Sequence, residues 1–442
     1  MTARYPSFGR ATPPALRATL LEEAELAFRE HRAASGSLLA YGNGRSYGDS
    51  CQSAEGTVID MREHGALLSF DSETGLVEAD AGILLSELIA HATPRGWFPP
   101  VVPGTQFVTL GGAIANDIHG KNHHRRGTFG AHVEELALLR SDGETRRCSR
   151  TENAELFGAT IGGMGLTGII LSARLRLIRV PAPDIAETAT PFSHLDDYLD
   201  RAEDADAANE YAVAWVDQLA TGRARGRGLL LTGNHAERVA GGRLPRQLAV
   251  PFQPPLTLLN RPALRAFNFA YRTGRGRSGQ RTVPYRSFFF PLDAVRDWNR
   301  LYGPRGLFQH QSVIPFEAAR QALPELLDAT HKAGQGSFLT VLKRFGAQRS
   351  PGLLSFPLPG YTLTLDFPNR GEPTRRLLDR LDRIAVAAGG AVNPYKDARM
   401  SADTFAASFP DWRALEALRD PAFMSSFWRR TAMRLAGKAP IG

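Results

Sequence analysis

Three glycine-rich segments between Tyr41 and Gly168 constrain this chain more than anything else in it. The first is Tyr41-Gly42-Asn43-Gly44-Arg45-Ser46-Tyr47-Gly48-Asp49, fed by a short apolar run from Ser37 to Tyr41. Its glycines let the backbone approach a neighbour closely and aim successive N–H groups at an anion. Arg45, Ser46 and Tyr47 offer further hydrogen bonds to a pyrophosphate, and a ligand-free turn is the competing reading. The second segment is Pro103-Gly104-Thr105, followed by the run Thr109 to His124. There Gly111, Gly112, Ala113 and Ala115 keep the backbone bare, as a flat ring lying against it requires. The third, Gly162 to Gly168, fits G-x-G-x-x-G at Gly163, Gly165 and Gly168. Its context is inverted, because a helix pattern precedes it and a strand follows, whereas the dinucleotide fingerprint needs strand, turn, helix. Asp184, at the spacing of a ribose-binding acid, falls in a Pro-rich linker, so the Rossmann reading is rejected.

His119, His123 and His124 invite a metal site, but Gly120 and Lys121 between them argue for a loop rather than a ligand-aligning helix. No carboxylate or cysteine set completes it, so no metal is expected.

Periodicity organises the rest. Leu21, Ala24 and Phe28 mark a helix over Leu20–Ala33, and Leu84, Leu85, Leu88 and Ile89 mark another ending before Pro94. Short runs at Thr57–Met61, Ala66–Asp71 and Leu76–Asp80 read as strands. Glu134–Arg140 and Glu144–Cys148 form a hairpin about Asp142-Gly143. A helix over Ala154–Ile161 and an alternating strand from Ile169 to Val180 follow. Pro181-Ala182-Pro183 sets a boundary. Beyond it, strands are expected at Ser337–Leu342 and Tyr361–Phe367, and a mostly helical tail from Ala391 carries Phe405, Phe409, Trp412 and Leu415. The class is α+β, divided at 1–180, 181–390 and 391–442.

Lysine is rare: five of the 53 basic residues, the others being arginine. Arginines crowd only between Arg223 and Arg286, at Arg223, Arg225, Arg227, Arg272, Arg275, Arg277 and Arg281. Nucleic acid is disfavoured because aromatic residues interleave poorly there. A lipid phosphate or membrane surface is one reading, a solvated loop the plainer one. Cys51 and Cys148 make neither a disulfide framework nor a ligand set, and no signal peptide or spanning segment is read. The expectation is a cytoplasmic protein, with contact at the inner membrane as an option.

Together, Gly-Asn-Gly-Arg-Ser-Tyr-Gly, Pro-Gly-Thr, Gly-Gly-Ala and Gly-Leu-Thr-Gly, in that order, resemble the PCMH-type FAD-binding domain of the vanillyl-alcohol-oxidase family. Asp117 to His124, Phe308 to Gln311, Phe338 to Gly346, Leu354 to Pro357 and Lys396 to Arg399 resemble the branch of that family that oxidises polyprenyl-phosphoryl ribose in mycobacterial cell-wall epimerisation. The resemblance implies a two-part FAD-binding domain and a substrate domain whose mixed or antiparallel sheet is covered by helices. It implies that Ala40, Tyr41, Gly42, Asn43, Gly44, Arg45, Ser46, Tyr47, Gly48, Asp49 and Ser50 wrap the FAD pyrophosphate. Gly104, Thr109, Leu110, Gly111, Gly112, Asn116, Asp117, Ile118, His119, Asn393 and the backbone of Ile170 would line the remainder. Lys121, Gln309, Gln311, Lys343, Thr364 and Lys396 would face the substrate.

Oxidation of a secondary alcohol needs a base beside the carbon that loses hydride. Lys396 is the preferred base or orienting group, with His119 as the alternative. Arg45 stands where relatives with covalent flavin carry histidine, so FAD is expected to be dissociable. Thr364 replaces a cysteine of the mycobacterial relatives, and Asn393-Pro394-Tyr395 replaces Tyr-Thr-Ala. The implied reaction converts the C2 hydroxyl of a lipid-linked pentose phosphate to a ketone, which a separate NAD(P)H-dependent reductase would then reduce. A soluble alditol or aldonolactone oxidase is the alternative.

Overall fold

A computed structural model describes residues 5–30, 36, 38–240, 247–276 and 279–437. Its first half is built on two small sheets. In one, Ala18–Leu20, Thr57–Asp60 and Leu38–Tyr41 lie parallel, with Thr57–Asp60 in the middle. Ala18–Leu20 escaped the sequence reading because three residues carry too little alternation. The helix that follows is Leu21–Arg29, with Leu21, Ala24 and Phe28 buried as the spacing requires. It starts where the Glu23 carboxylate accepts from the Leu20 N–H at 3.2 Å. Residues 31–33 of the expected helix, and Ser37, lie outside the described residues.

The other sheet is antiparallel, in the order Leu67–Phe70, Leu76–Asp80, Ile169–Arg176, Val133–Leu139, Thr145–Ser149. The expected hairpin about Asp142-Gly143 is present. The strand expected through to Val180 is interrupted at Leu177, whose N–H goes to the Gly75 carbonyl at 2.9 Å. Ile178–Arg179 then pairs with Trp97–Phe98 instead.

Eight antiparallel strands make the large sheet, in the order Gln280–Val283, Ile185–Phe192, Gly228–His235, Tyr211–Val216, Thr340–Phe345, Gly360–Pro368, Leu307–Ile314, Ala391–Val392. The expected Ser337 start moves to Thr340, because Ser337 serves a turn: its N–H donates to Gln218 and its Oγ accepts from the Asp366 N–H at 2.9 Å. Directly paired residues on neighbouring antiparallel strands share a face, and the face alternates along each strand. One face carries Ala214, Leu342, Leu363, Leu365 and Phe367, which pack beneath the helices Leu195–Ala208, Phe316–Lys332 and Glu372–Ala387 in the main core. The other carries Trp215, Val341, Lys343, Thr364, Gln311 and Gln309.

The tail begins with the edge strand Ala391–Val392 and continues as four short helices. Phe405, Phe409, Trp412 and Leu415 are all buried, but a break at Pro410 divides them between two helices. The tail returns to the first half, where the Met424 N–H bonds the Leu38 carbonyl at 2.9 Å.

The expected Arg-rich loop is mostly ordinary scaffold. Arg225 pairs with Asp328 and Arg227 with Asp217, and Arg275 and Arg281 share buried Glu187. Arg272 lies in the helix Arg261–Arg275, Arg223 in a short helical turn, and Arg277 is outside the described residues.

Candidate active site

A cavity of about 560 Å³ opens between the two small sheets and the uncovered face of the large one. All three glycine-rich segments reach its wall. From the first come Ala40, Gly42, Asn43, Gly44, Arg45, Ser46, Tyr47 and Ser50. Gly44 takes φ +59°, which turns the loop back under the Tyr41 hydroxyl. Among the described residues, the N–H groups of Asn43, Gly44, Arg45, Ser46 and Tyr47 meet no protein acceptor. Five successive donors in a glycine-containing loop form an anion-binding concavity. Arg45 adds positive charge, its guanidinium held 5.7 and 5.5 Å from the ring centres of Phe8 and Phe107 and its buried Nε unpaired.

The second segment supplies Gly104, Thr109, Gly111, Gly112, Asn116, Ile118 and His119, and the strand Ile169–Arg176 supplies Ile170. A Cβ placed on Gly104 meets nothing within 4 Å, so only the missing side chain keeps that wall open. The third segment contributes Met164, Gly165 and Gly168. A row of free N–H donors beside a wall stripped of side chains fits a dinucleotide pyrophosphate and a flat ring. These residues would hold FAD.

Six sequence candidates stand off the wall. Asp49 is ion-paired to Arg430 at 2.7 Å, and the Tyr41 hydroxyl donates to the Pro6 carbonyl at 2.8 Å. Gly48 lies so close to the Asp397 carbonyl that a Cβ would run into it, and Leu110 is core. Asp117 is buried, accepting from the Gly130 N–H at 2.9 Å and from the hydroxyls of Ser350 and Ser355 at 2.5 and 2.6 Å. Gln311 stands behind His119, with the two Nε2 atoms 3.1 Å apart. These six support the cavity from outside.

Three of the five lysines, Lys121, Lys343 and Lys396, meet at its inner end with His119, Gln309, Thr364 and Asn393. Burial pushes Lys121 down to about 7, against the opposing pull of Glu187. Its Nζ donates to the Phe288 carbonyl and lies 4.4 Å from the Phe288 ring centre. Burial, then the charges of Lys396 and Lys121, hold Lys343 well below the usual lysine value. Burial also depresses Lys396, and Asp366 works the other way. Asp366 is pushed up by its own burial and accepts from Gln309 at 2.5 Å. Burial, reinforced by Lys343 and Lys396, keeps His119 far below the ordinary imidazole value and therefore neutral. His119 and His123 both pack on the Phe345 ring, at 4.9 and 4.6 Å, while His124 bonds the Asn209 carbonyl at 3.1 Å.

Beside the lysines the wall is also apolar, through Val213, Trp215, Leu231, Val341, Tyr271 and Phe289. Nothing in the local sequence marks these as site residues. Tyr211–Val216 is buried throughout, so Trp215 looks like core until the sheet shows which face is uncovered.

A bare-walled dinucleotide cavity meeting a cluster of depressed lysines defines an FAD-dependent oxidoreductase. Residues 15–149 match the family model for an FAD binding domain. Over 97% of its length the chain is 35% identical to decaprenylphosphoryl-beta-D-ribose oxidase of Mycolicibacterium smegmatis, covering 97% of that protein. It is 36% identical to an uncharacterised protein of Streptomyces coelicolor, across 79% of this chain and 100% of that one. A match to mouse L-gulonolactone oxidase, at 31% identity, spans 37% of each. The chain belongs to the decaprenylphosphoryl-β-D-ribose oxidase family, within the PCMH-type flavoproteins.

Proposed function

We propose that this enzyme oxidises the C2 hydroxyl of a polyprenyl-phosphoryl pentose to a ketone, the first half of an epimerisation. The observation that carries the reading is the cavity's mixed wall, in which Lys121, Lys343, Lys396 and Gln309 share the lining with the apolar Val213, Trp215 and Val341. A sugar phosphate matches the first and isoprenoid carbon the second. The full-length similarity to a decaprenylphosphoryl-ribose oxidase supports the same substrate class.

Bound FAD supplies the hydride acceptor. The chain's own work is to seat the sugar and move its hydroxyl proton. Lys396, its basicity lowered by burial, takes that proton while neutral. Neutral His119, braced by Gln311, orients the same hydroxyl. Lys121, Lys343 and Gln309 hold the remaining oxygens, and Thr364 and Asn393 shape the pocket around them. The apolar wall excludes water from the reacting carbon. A separate NAD(P)H-dependent reductase consumes the keto sugar, and the enzyme works in the cytoplasm. The working units are an FAD-binding portion at 1–180, a substrate portion at 181–390 and a tail at 391–442. Ala391–Val392, although in the tail, closes the edge of the large sheet.

Anaerobic titration with a short-chain polyprenyl-phosphoryl ribose, followed in the visible flavin band, tests this reading. Bleaching by the lipid sugar but not by free ribose or alditols is expected. Bleaching by alditols alone would transfer the enzyme to the soluble-polyol class.

A further inference from the structure

We infer that the outer face of the helix Arg261–Arg275, with the Leu248–Leu258 segment before it, is a docking surface for an anionic lipid bilayer. Six of the thirteen exposed large apolar side chains among the described residues fall between Leu248 and Phe269. Leu256 is 75% exposed, Phe269 71% and Phe252 68%.

The helix turns its Leu264 and Asn268 inward, and Asn268 donates to Asp217 at 2.7 Å. At 100° per residue, the opposite side presents Pro262, Ala263, Ala266, Phe269 and Ala270, all exposed and none charged. A face turned to water normally carries charge. Here the charge is a stripe along one flank, Arg261, Arg265 and Arg272, none ion-paired among the described residues. Apolar contact flanked by guanidinium groups is the chemistry of an interfacial helix on an acidic membrane.

Charge composition points to the same partner. Residues 238–292 contain ten arginines and neither lysine nor any acidic residue. Set against a chain total of +8, this leaves the remaining residues at −2 together. The positive excess therefore lies in the segment that contains and flanks the exposed apolar side chains, although Arg275 and Arg281 within it are paired with Glu187. The surface is also continuous with the cavity, since Tyr271 of the helix and Leu292, Val295 and Arg296 beyond it line the cavity wall. Tyr271 packs on Trp215 of the cavity wall with ring centres 5.0 Å apart, so an isoprenoid tail leaving the bilayer here meets aromatic surface.

The inference rests on the lipid-sugar reading for its purpose, so the two are tested apart. The flavin-loaded enzyme is sedimented with vesicles of phosphatidylglycerol and phosphatidylcholine in equal parts, and with phosphatidylcholine alone. Pelleting with the acidic vesicles only, reversed by salt, is expected. Replacing Arg261, Arg265 and Arg272 by glutamine should lower partitioning roughly a hundredfold. Leu256→Asp with Phe269→Asp should abolish it, with flavin absorbance and circular dichroism unchanged. Wild-type protein that stays in the supernatant overturns the proposal. So does equal binding to a DNA duplex that the aspartate pair leaves intact. Flavin bleaching by the short-chain lipid sugar is measured separately in detergent. Bleaching without pelleting overturns the docking surface alone, and pelleting without bleaching upholds it while removing the substrate.

Discussion

Gln311 and His119 face each other with their Nε2 atoms 3.1 Å apart, and the same glutamine accepts from the Asn393 side chain at 3.0 Å. One amide thus joins a loop of the FAD-binding half, a strand of the large sheet and the tail. Replacing Gln311 by leucine leaves the buried imidazole nitrogen without its partner, at a cost of about 1–3 kcal/mol. Flavin content should hold while substrate-driven flavin reduction slows about tenfold in anaerobic rapid mixing. An unchanged rate would remove His119 positioning from the mechanism.

Lys396 must be neutral to accept a proton, and burial lowers its value. The flavin-reduction rate should therefore rise with pH through that depressed value and level off above it. Lys396→Ala should lose about 10²–10⁴-fold in reduction rate and the pH dependence with it, while the protein stays yellow. Lys396→Arg should not rescue, because a guanidinium stays protonated. Rescue by arginine would recast the residue as a charge anchor.

Acid stability has its own signature. Burial raises the Asp382 carboxyl, but Arg399 and His310 outweigh it and hold the group at about 2, against 3.8 ordinarily. A depressed folded-state value stabilises above the unfolded value and is lost as pH falls through the folded one. About 2 kcal/mol should thus disappear between pH 4 and pH 2. A thermal-melt series should show a weaker acid dependence over that interval in Asp382→Asn, and parallel curves for both proteins would refute the assignment.

The cofactor should leave on denaturation. The resemblance to the flavoprotein family puts Arg45 where covalent members carry histidine, and its guanidinium is packed against Phe8 and Phe107. Acid precipitation should yield a colourless pellet and a yellow supernatant. Colour retained in the pellet would direct attention to Cys51 or His119, nucleophiles on the cavity wall.

Much of the FAD-binding half could be read from residues, because glycine patterns and alternation are local. The α+β class, the hairpin about Gly143 and the walls supplied by Gly42, Gly104, Gly111 and Gly112 depend on short-range geometry. What escaped depends on long-range pairing. Nothing in Leu307–Ile314, buried along its whole length, tells that Gln309 lines the cavity while Gln311 braces His119. Asp49 reads as a pyrophosphate-loop residue until Arg430 arrives from 381 positions away. The arginine run reads as loop because Gly274 and Gly276 suggest one, yet tertiary packing of Leu264 carries a helix through to Arg275.

The glycine loop is held from both sides of the sequence: the Phe8 N–H and the Phe107 carbonyl bond Ser46 and Asn43, while Arg430 holds Asp49 and the Asp397 carbonyl accepts the Asp49 N–H. During synthesis Asp49 emerges 381 positions before Arg430 and waits for that partner. Cofactor loading should therefore wait for the Arg430 contact, and residues 15–149 alone, matched as an FAD binding domain, should bind flavin more weakly than the whole chain. Messages truncated before Arg430 should yield a chain that folds in part and stays colourless.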